Sequence, residues 1–419
     1  MRSILVVGGK KLEGTVSIGG SKNSALPILA ATLLISGETE LLNIPNLNDV
    51  ITMIRVLRSL GARAEYCEPN TVRVWTNGAI KHVAPYELVT KMRASFFVIG
   101  PVLARMGLAK IPLPGGCAIG SRPVNLHLKG LEMLGAKINM EHGFVIAKAD
   151  RLRGNRIYLD FPSVGATETL IMAASLAEGE TLIENAAQEP EIVDLANFLI
   201  RAGAKISGHG TDAISIKGVT SLKNEDSYKI ISDRVEAGSF MVAAAVTRGH
   251  VVVKNIIFEH IEPMVTKLKE AGVSVTVKGN SVVVQAKKRV KAIDVKTMPF
   301  PGFPTDVQPQ FCSLLATANG TSVVSESIFE NRFMHIHELK RMGAKIRIEG
   351  RSAIIEGIPR MSGAPVVASD LRAGAALVIA GLAAKDDTII SDVERHIERG
   401  YENFAEKLCA LGAEVKEII

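Results

Sequence analysis

Two kinds of helix can be distinguished in this chain from the pattern of hydrophobic and polar positions. Residues 25–34 and 238–246 are apolar on almost every side, and helices of that kind are buried all round. Residues 191–204 instead carry charge on one side, which is typical of a helix that faces water. The pattern therefore predicts inner helices that are covered by an outer layer of helices and strands.

A glycine-containing step ends the second helix of each repeating segment. The step recurs roughly every seventy residues. It lies at residues 60–62, 134–136, 202–204, 271–273, 342–344 and 411–413. Between steps the pattern is a strand, an apolar helix, a β-branched strand, an amphipathic helix and returning strands. The sequence thus predicts six βαβαββ units in two sets of three, with a left-handed glycine after each second helix.

Length and composition are those of a globular protein. The 419 residues fit two domains of roughly 200 residues each. Aromatic residues make up 5% of the chain, which disfavours a base-stacking surface for nucleic acid. The apolar run at residues 4–7 is too short for a secretory signal, and no segment reaches the ~20 apolar residues of a membrane helix. We expect a cytoplasmic protein that binds neither nucleic acid nor membrane.

The four cysteines lie far apart in the sequence. No pair has the spacing of a zinc site, and no disulfide framework is indicated, so we expect no metal. Cys67 is predicted to be an incidental residue in a polar turn after a strand. Cys312 and Cys409 fall on helical patterns and are predicted to be packing residues. Cys117 lies in a loop with several glycines and is considered below.

Basic residues gather at the predicted starts of inner helices, where free N–H groups already favour an anion. These residues are Lys22, Arg93, Arg234 and Arg372. A second basic group precedes the outer helices and consists of Arg122, Arg332, Arg395 and Arg399. Neutralisation by neighbouring carboxylates is the alternative at each single position, and the net charge of +6 alone fits an anionic partner and simple solubility equally well. The recurrence favours a multiply anionic ligand.

Several motifs around these residues are characteristic of one family. They are SKNSALPILAATLL around Lys22, KMRASFFVIGP around Arg93, LPGGCAIGSRPVNLH around Cys117, FPTDVQPQF around Asp306, IFENRFMHIHEL around Arg332, DLRAGAALVIAG from Asp370 and HIERGYE around Arg399. Over essentially its whole length the chain resembles the UDP-N-acetylglucosamine 1-carboxyvinyltransferase family of enolpyruvyl transferases. The resemblance implies transfer of the enolpyruvyl group of phosphoenolpyruvate to the 3-hydroxyl of UDP-N-acetylglucosamine with release of phosphate, the first committed step of peptidoglycan biosynthesis.

The resemblance also implies the fold and the domains. The expected fold is α/β, with two inverted α/β barrels of three βαβαββ repeats each. The N-terminal barrel would span residues 22–229 and carry a catalytic loop at residues 112–122. Residues 1–21 would join residues 230–419 in the C-terminal barrel, and the active site would lie in the cleft between the two barrels.

The site residues implied by the resemblance fall into three groups. Phosphoenolpyruvate would be bound by Lys22, Asn23, Arg122 and Arg399. UDP-N-acetylglucosamine would be bound by Arg93, Arg122, Pro123, Val124, Asn125, Leu126, Phe161, Pro162, Ser163, Val164, Gly165, Asp306 and Ile328. The cleft would be supported by Glu189, Asp233, Arg332, Asp370 and Arg372. The chain departs from the common family pattern at Asn125, at Gln188, and at Phe161 with Pro162.

Addition of a sugar hydroxyl to an enol ether needs one acid and one base. We expect Cys117 to be the acid, because a thiol with a pKa near ~8.5 is protonated at neutrality and a basic loop makes it reactive. The alternative for Cys117 is an ordinary buried cysteine. Asp306 is the expected base, with a helix cap as its alternative. Lys22, Arg122 and Arg399 would stabilise the departing phosphate, so no cofactor is expected, and a covalent phosphoenolpyruvate adduct on Cys117 is an open option.

Two other functions remain open on the sequence. A 5-enolpyruvylshikimate-3-phosphate synthase would share the fold and the donor, but that family lacks the PGGCAIG loop. A non-catalytic UDP-sugar sensor would retain the binding residues and lose Cys117, Lys22 or Asp306, all of which are present. The oligomeric state is not indicated by the sequence.

Overall fold

The fold is taken from a computed structural model that describes residues 2–78, 80–115, 120, 124–223 and 226–418. The described residues form two compact units. We call residues 20–115 with 124–231 the N-terminal unit, and residues 2–19 with 232–418 the C-terminal unit. Gly120 also belongs to the C-terminal unit, although its neighbours along the described chain belong to the N-terminal unit. Residues 2–19 supply the strands β1 (Ser3–Val7) and β2 (Glu13–Ser17).

The N-terminal unit consists of three repeats and a closing strand. The first repeat contains α1 (Lys22–Ala31), the 3₁₀ turn Thr32–Leu34, β3 (Gly37–Leu42), α2 (Asn48–Ser59), β4 (Arg63–Cys67) and β5 (Thr71–Thr76). The second contains α3 (Tyr86–Val89), the 3₁₀ helix Arg93–Val98, α4 (Ile99–Met106), β6 (Leu108–Pro112), α5 (Asn125–Met133), β7 (Lys137–Glu141) and β8 (Phe144–Lys148). The third contains β9 (Arg156–Tyr158), α6 (Val164–Ala174), β10 (Glu180–Glu184), α7 (Pro190–Arg201), β11 (Lys205–Ser207) and β12 (Ala213–Lys217), and the closing strand is β13 (Tyr228–Lys229).

The C-terminal unit repeats the same order of elements. Its first repeat contains α8 (Arg234–Val246), β14 (His250–Lys254), α9 (Phe258–Glu270), β15 (Ser274–Lys278) and β16 (Ser281–Gln285). Its second contains β17 (Val295–Lys296), the 3₁₀ turn Thr305–Val307, α10 (Gln308–Leu315), β18 (Thr321–Ser325), α11 (His335–Arg341), β19 (Lys345–Glu349) and β20 (Ser352–Glu356). Its third contains β21 (Pro365–Val367), α12 (Leu371–Ala383), β22 (Thr388–Ser391), α13 (Val393–His396), the 3₁₀ turn Ile397–Arg399, α14 (Phe404–Ala410) and β23 (Glu414–Ile418).

Strands from distant parts of the chain close each unit. In the N-terminal unit β13 pairs in parallel with β3, so the last strand joins the first sheet. In the C-terminal unit β2 pairs in parallel with β14, and β1 lies between β22 and β23. Five of the six repeats thereby have a small described sheet of one parallel and two antiparallel pairings. The sheet of β6, β8 and β7 differs, because Val83 contributes only a single parallel bridge to Lys110 at its edge.

Inner and outer helices differ in burial as the pattern predicts. Every residue of α1 except Asn23 is buried, and so is every residue of α8 except Arg234. The outer helices α2 and α7 bury one side, while their other side carries the charged residues. Each unit has its own hydrophobic core around its inner helices. Within the described part of the chain, no helix is both long and apolar enough to cross a membrane.

The glycine step has the same hydrogen bonds in all six repeats. In the first repeat Gly61 donates its N–H to the oxygen of Arg58, and Ala62 donates to the oxygen of Leu57, both at 3.1 Å. This pair of bonds is the Schellman motif, which requires a left-handed residue after the helix. The six step glycines have φ between 85° and 101°, a region that favours glycine. The predicted left-handed glycines and the predicted repeat are therefore confirmed.

Candidate functional site

The predicted basic residues lie at starts of inner helices in the structure. Lys22 is the first residue of α1, and Arg234 is the first residue of α8. Arg372 is the second residue of α12. Arg93 is the first residue of a 3₁₀ helix that continues into α4, so this helix starts with tighter turns than the sequence pattern indicates.

In the N-terminal unit Lys22 forms a buried ion pair. Ser21 caps α1 by accepting the N–H of Ser24, and Lys22 follows the cap. The Nζ atom of Lys22 lies 3.3 Å from Oδ2 of Asp49, and both side chains are more than nine-tenths buried. Asp49 lies in the first turn of α2 and was not among the predicted site residues. In the sequence it is an ordinary first-turn carboxylate, because only the folded chain brings α2 beside Lys22.

A second residue missed from the sequence is His127 on α5. Its Nδ1 atom lies 2.9 Å from the hydroxyl oxygen of Thr169, and its ring packs edge-on against Phe96. Burial and the nearby Arg93 guanidinium lower the pKa of His127 to about 3. A side chain at Gly165 would begin 3.1 Å from the His127 ring, so the glycine allows this close approach. Arg93, Gly165 and His127 are therefore neighbours within one unit.

The predicted sugar-binding stretch 161–165 forms the start of α6. Ser163 caps that helix by accepting the N–H of Ala166 at 3.3 Å. Phe161 is exposed, while Pro162 and Val164 are half-buried. The predicted stretch that ends at Leu126 forms the start of another helix. Val124 is the residue before α5, Asn125 is exposed on its first turn, and Leu126 is half-buried.

Carboxylates gather where α6 and the start of α7 approach each other. Burial of Glu168, followed by the nearby charges of Glu191 and Glu189, raises the pKa of Glu168 well above its ordinary value. Glu189 immediately precedes α7, with its backbone in the capping position but without a capping bond from its side chain. Glu189, which is expected to support the cleft, therefore lies near two other carboxylates, Glu168 and Glu191, in the N-terminal unit.

In the C-terminal unit Asp306 accepts hydrogen bonds from two arginines. Arg332 donates from Nη2 to Oδ1 at 2.9 Å, and Arg372 donates from Nη2 and Nε to Oδ2 at 3.1 and 3.3 Å. Both guanidiniums are almost fully buried, whereas 26% of the Asp306 side chain is exposed. Asp306 lies in the 3₁₀ turn before α10. The three residues of this cluster, Asp306, Arg332 and Arg372, come from three separate segments of the C-terminal unit.

A set of buried polar side chains supports Arg372. Its guanidinium lies 5.3 Å from the centre of the Tyr401 ring, within the range of a cation–π interaction. The Tyr401 hydroxyl is 2.9 Å from the hydroxyl of Ser239 and accepts from the side-chain amide of Gln310 at 3.0 Å. Burial disfavours the charge of Arg372, but Asp306, Tyr401 and Asp233 raise its pKa above the ordinary arginine value. Arg372 therefore remains a cation in a buried position.

Asp233 and Asp370 act as helix caps in the structure. Asp233 accepts the N–H groups of Val235 and Glu236 at the start of α8. Asp370 accepts those of Arg372 and Ala373 at the start of α12. The Asp370 cap fixes the start of α12, which carries Arg372, so the support that Asp370 gives is positional.

His335 lies beside Arg332 and was not predicted as a site residue. It is the first residue of α11 and is fully buried. Burial lowers the pKa of His335 to about 4, while the nearby Asp370 raises it and Arg332 lowers it. The C-terminal unit thus also has a buried histidine near an arginine of the predicted site.

The segment that follows β18 is organised by Glu326. The buried carboxylate of Glu326 accepts the N–H groups of Ile328 and Phe329 and the hydroxyls of Thr297 and Thr305. Since Thr305 precedes Asp306, one carboxylate fixes both the predicted Ile328 position and the turn that carries Asp306.

Arg395 lies in α13, and Arg399 is the half-buried last residue of the 3₁₀ turn before α14.

Some predictions fall outside the described residues or are wrong. Cys117, Arg122 and Pro123 lie outside the described residues. Cys67 is the last residue of β4 and not part of a turn. Cys312 is buried in α10 as predicted, whereas Cys409 in α14 is exposed and donates its S–H to the oxygen of Val415, so it is not a packing residue. Among the described residues, no cluster of histidine, cysteine or carboxylate side chains could hold a metal ion.

Comparison with known proteins gives close relatives along the full chain. Residues 6–408 match the family EPSP synthase (3-phosphoshikimate 1-carboxyvinyltransferase). The chain is 56% identical over 420 residues to UDP-N-acetylglucosamine 1-carboxyvinyltransferase 2 of Carboxydothermus hydrogenoformans, with 100% of each chain covered. It is 51% identical over 418 residues to UDP-N-acetylglucosamine 1-carboxyvinyltransferase of Geotalea daltonii, again with 100% of each chain covered.

Solved structures of similar fold are more distant in sequence. The enolpyruvyl transferase NikO from Streptomyces tendae matches with a TM-score of 0.90 at 24% identity, covering 99% of this chain and 98% of that one. An EPSP synthase from Acinetobacter baumannii matches with a TM-score of 0.77 at 20% identity, covering 100% of both chains. The expected fold of three-repeat α/β barrels, that of the enolpyruvyl transferases, is confirmed.

Proposed function

We propose the function of this chain from one premise: it belongs to the UDP-N-acetylglucosamine 1-carboxyvinyltransferase family of enolpyruvyl transferases. The chain transfers the enolpyruvyl group of phosphoenolpyruvate to the 3-hydroxyl of UDP-N-acetylglucosamine and releases phosphate. The observation that carries this proposal is the identity of 51% and 56% over the full chain with relatives of that name. The reaction would serve peptidoglycan biosynthesis.

In the proposed reaction Cys117 is the acid and Asp306 is the base. The Cys117 thiol gives its proton to the methylene carbon of phosphoenolpyruvate, and the sugar oxygen forms a bond to the adjacent carbon. Asp306 accepts the proton of the sugar hydroxyl. Loss of phosphate, with return of a proton from the methyl carbon to the Cys117 thiolate, restores the double bond, and the proton held by Asp306 leaves with the phosphate. Atoms therefore balance without a cofactor or a metal.

The contacts of Asp306 support its proposed role. Arg332 and Arg372 bond to different oxygens of the carboxylate, so they fix its plane as well as its position. The partial exposure of Asp306 leaves part of the carboxylate accessible, in contrast to both guanidiniums. Geometry of this kind is what a base must have, because proton transfer needs a hydrogen-bonding distance to the sugar hydroxyl.

The proposed phosphate site consists of Lys22, Asn23, Arg122 and Arg399. Lys22 brings a cation to a helix start, and both features attract an anion. A preorganised set of cations stabilises the charge that develops on the departing phosphate. The remaining proposed sugar-binding residues are those of the helix starts at α5 and α6, with Arg93, Asp306 and Ile328.

The test is phosphate release from phosphoenolpyruvate with UDP-N-acetylglucosamine, compared with shikimate 3-phosphate as acceptor. We expect turnover with the nucleotide sugar alone, and turnover with shikimate 3-phosphate would contradict the proposal. Cys117→Asp replaces one acid by another and should retain substantial turnover. Cys117→Ser, whose hydroxyl is a far weaker acid, should lose roughly two to four orders of magnitude. Equal rates for Cys117→Ser and the unchanged protein would exclude Cys117 as the acid.

A non-catalytic UDP-sugar sensor would bind the nucleotide sugar without releasing phosphate in this assay. The cytoplasmic location, independence from metal and cofactors, and the lack of nucleic-acid binding stay predictions. Turnover that is abolished by a chelator and restored by Mg²⁺ would contradict the predicted independence from metal.

A further inference from the structure

The first turn of α1 is held by a buried carboxylate on a distant helix. We propose that Asp194, on the outer helix α7, is a positioning residue that fixes this turn, and with it Lys22 and Asn23, for binding of the anionic donor. The inference rests on the proposed function for the identity of that donor. Its structural basis lies entirely within the N-terminal unit.

The Asp194 carboxylate accepts three hydrogen bonds from neutral donors. Its Oδ1 atom accepts from the hydroxyl of Tyr228 at 2.6 Å. Its Oδ2 atom accepts from the N–H of Ile231 at 3.1 Å and from the hydroxyl of Ser24. Burial raises the pKa of Asp194, and these three hydrogen bonds lower it. Burying a carboxylate is costly unless its oxygens are hydrogen-bonded, so these bonds indicate what the residue holds together.

The segment before α1 is fixed by further contacts with the same neighbours. Ser21 donates its N–H to the oxygen of Ile231 at 2.8 Å, and its hydroxyl accepts the N–H of Ser24. Gly20 lies so close to Asn43 that an added Cβ would come within 1.7 Å of the Asn43 oxygen. The hydrogen bond between Ser21 and Ile231 joins two segments of the chain. Asp194 bonds to both segments, to the N–H of Ile231 in one and to the hydroxyl of Ser24 in the other.

Lys22 and Asn23 lie between the two fixed residues Ser21 and Ser24. The side chain of Lys22 has a flexible four-carbon stem, so the backbone of this turn largely determines where its charge can reach. The first N–H groups of α1 belong to the same turn and would also face an anion. A small displacement of the turn would thus weaken both elements of the donor site together.

Two hydroxyl donors to this one carboxylate provide a matched test. Ser24 lies on α1, whereas Tyr228 lies on β13, which pairs with β3. Ser24→Ala and Tyr228→Phe each remove one hydroxyl and leave the charge of Asp194 in place. Only the first removes the direct link between Asp194 and the turn that carries Lys22.

We expect Ser24→Ala to raise KM for phosphoenolpyruvate about fivefold, the equivalent of one lost hydrogen bond. Its kcat and its KM for UDP-N-acetylglucosamine should stay within about twofold of the unchanged protein, since one hydrogen bond limits the effect. Tyr228→Phe should lower the thermal midpoint of unfolding as much as Ser24→Ala does, because each variant loses one hydrogen bond to Asp194. It should leave kcat and both KM values unchanged. If both variants raised KM for phosphoenolpyruvate equally, or if neither did, Asp194 would be a purely structural residue and the proposal would be overturned.

A second measurement separates this proposal from the proposed function. Hydrogen exchange of the amides at residues 22–25 should be faster in Ser24→Ala than in Tyr228→Phe, whichever substrate the protein uses. Absence of turnover in the unchanged protein would overturn the proposed function, and the exchange comparison would then decide the positioning role. Equal exchange in both variants would overturn the positioning role even if the unchanged protein were active.

Discussion

The two units balance the charges of the predicted site in different ways. In the N-terminal unit one lysine lies 3.3 Å from one carboxylate, Asp49. In the C-terminal unit one carboxylate, Asp306, accepts from two planar guanidiniums at 2.9 to 3.3 Å. A lysine is a compact charge on a flexible stem, whereas guanidiniums fix the direction of their hydrogen bonds. The difference suits an adjustable anion-binding residue in one unit and a rigidly oriented carboxylate in the other.

The largest expected effect follows from removal of the Asp306 charge. Asp306→Asn leaves two buried guanidiniums without their carboxylate, and breaking a buried ion pair costs roughly 3–5 kcal/mol. We expect the free energy of unfolding to fall by about 3 kcal/mol in urea denaturation, because Asp306 is partly exposed and the amide oxygen still accepts one bond. Turnover should fall by roughly two orders of magnitude or more. An unchanged free energy of unfolding would show that the arginines do not depend on Asp306.

The next effect concerns acid sensitivity and the buried histidines. Because the pKa of His127 is lowered to about 3, the unfolded chain binds a proton before the folded chain does. Stability is therefore complete above about pH 6.5 and falls as the pH is lowered towards 3. His127→Gln should remove this loss, which amounts to about 2 kcal/mol at pH 5.

The comparison between units can be made with His335. Its pKa is lowered less, to about 4, so His335→Gln should change the acid dependence in the same direction over a narrower pH range. His142→Gln is the control, because His142 is exposed on the surface of the N-terminal unit. The free energy of unfolding of all three variants and of the unchanged protein is to be measured between pH 3 and 7, because the His127 and His335 variants should differ only below pH 4. A His127→Gln variant with the same acid dependence as the control would contradict the prediction.

The smallest effect is expected for Asp49→Asn. Asp49 lies 3.3 Å from one ammonium group, whereas two guanidiniums bond to Asp306, and an amide oxygen can still accept from the ammonium group. We expect a loss of about 1 kcal/mol in the free energy of unfolding. Thermal and urea denaturation of Asp49→Asn and Asp306→Asn, measured together, give the ratio of their losses in the free energy of unfolding. A loss as large as that of Asp306→Asn would mean that both units hold their charges equally rigidly.

Much of the fold could be predicted from local pattern alone. The glycine steps at Gly61 and Gly412 follow amphipathic helices, and both the repeat and the left-handed conformation are local properties of the chain. The closure of the sheets could not be predicted in this way. β13 pairs with β3 and β1 pairs with β23, and such pairings depend on contacts that no local pattern specifies.

The site divides along the same line. Lys22 and Arg372 could be identified because a cation at a helix start is visible in the sequence. Asp49, His127 and Tyr401 could not, since each acquires its role from a residue that is distant along the chain, as Tyr401 does from Ser239 and Gln310. Buried polar contacts of this kind are set by the packing of helices, and a single sequence does not show which side chains meet.

The position of β1 has a consequence for synthesis of the protein on the ribosome. β1 is made before the N-terminal unit, and it pairs with β22 and β23, which are made after that unit. The N-terminal unit can reach its native pairings once β13 has emerged, because all strands of its sheets are then present. The β1 strand must instead wait unpaired until β22 and β23 have been made. An unpaired strand of this kind can associate with other chains, so β1 is a segment at which a chaperone would protect the growing protein.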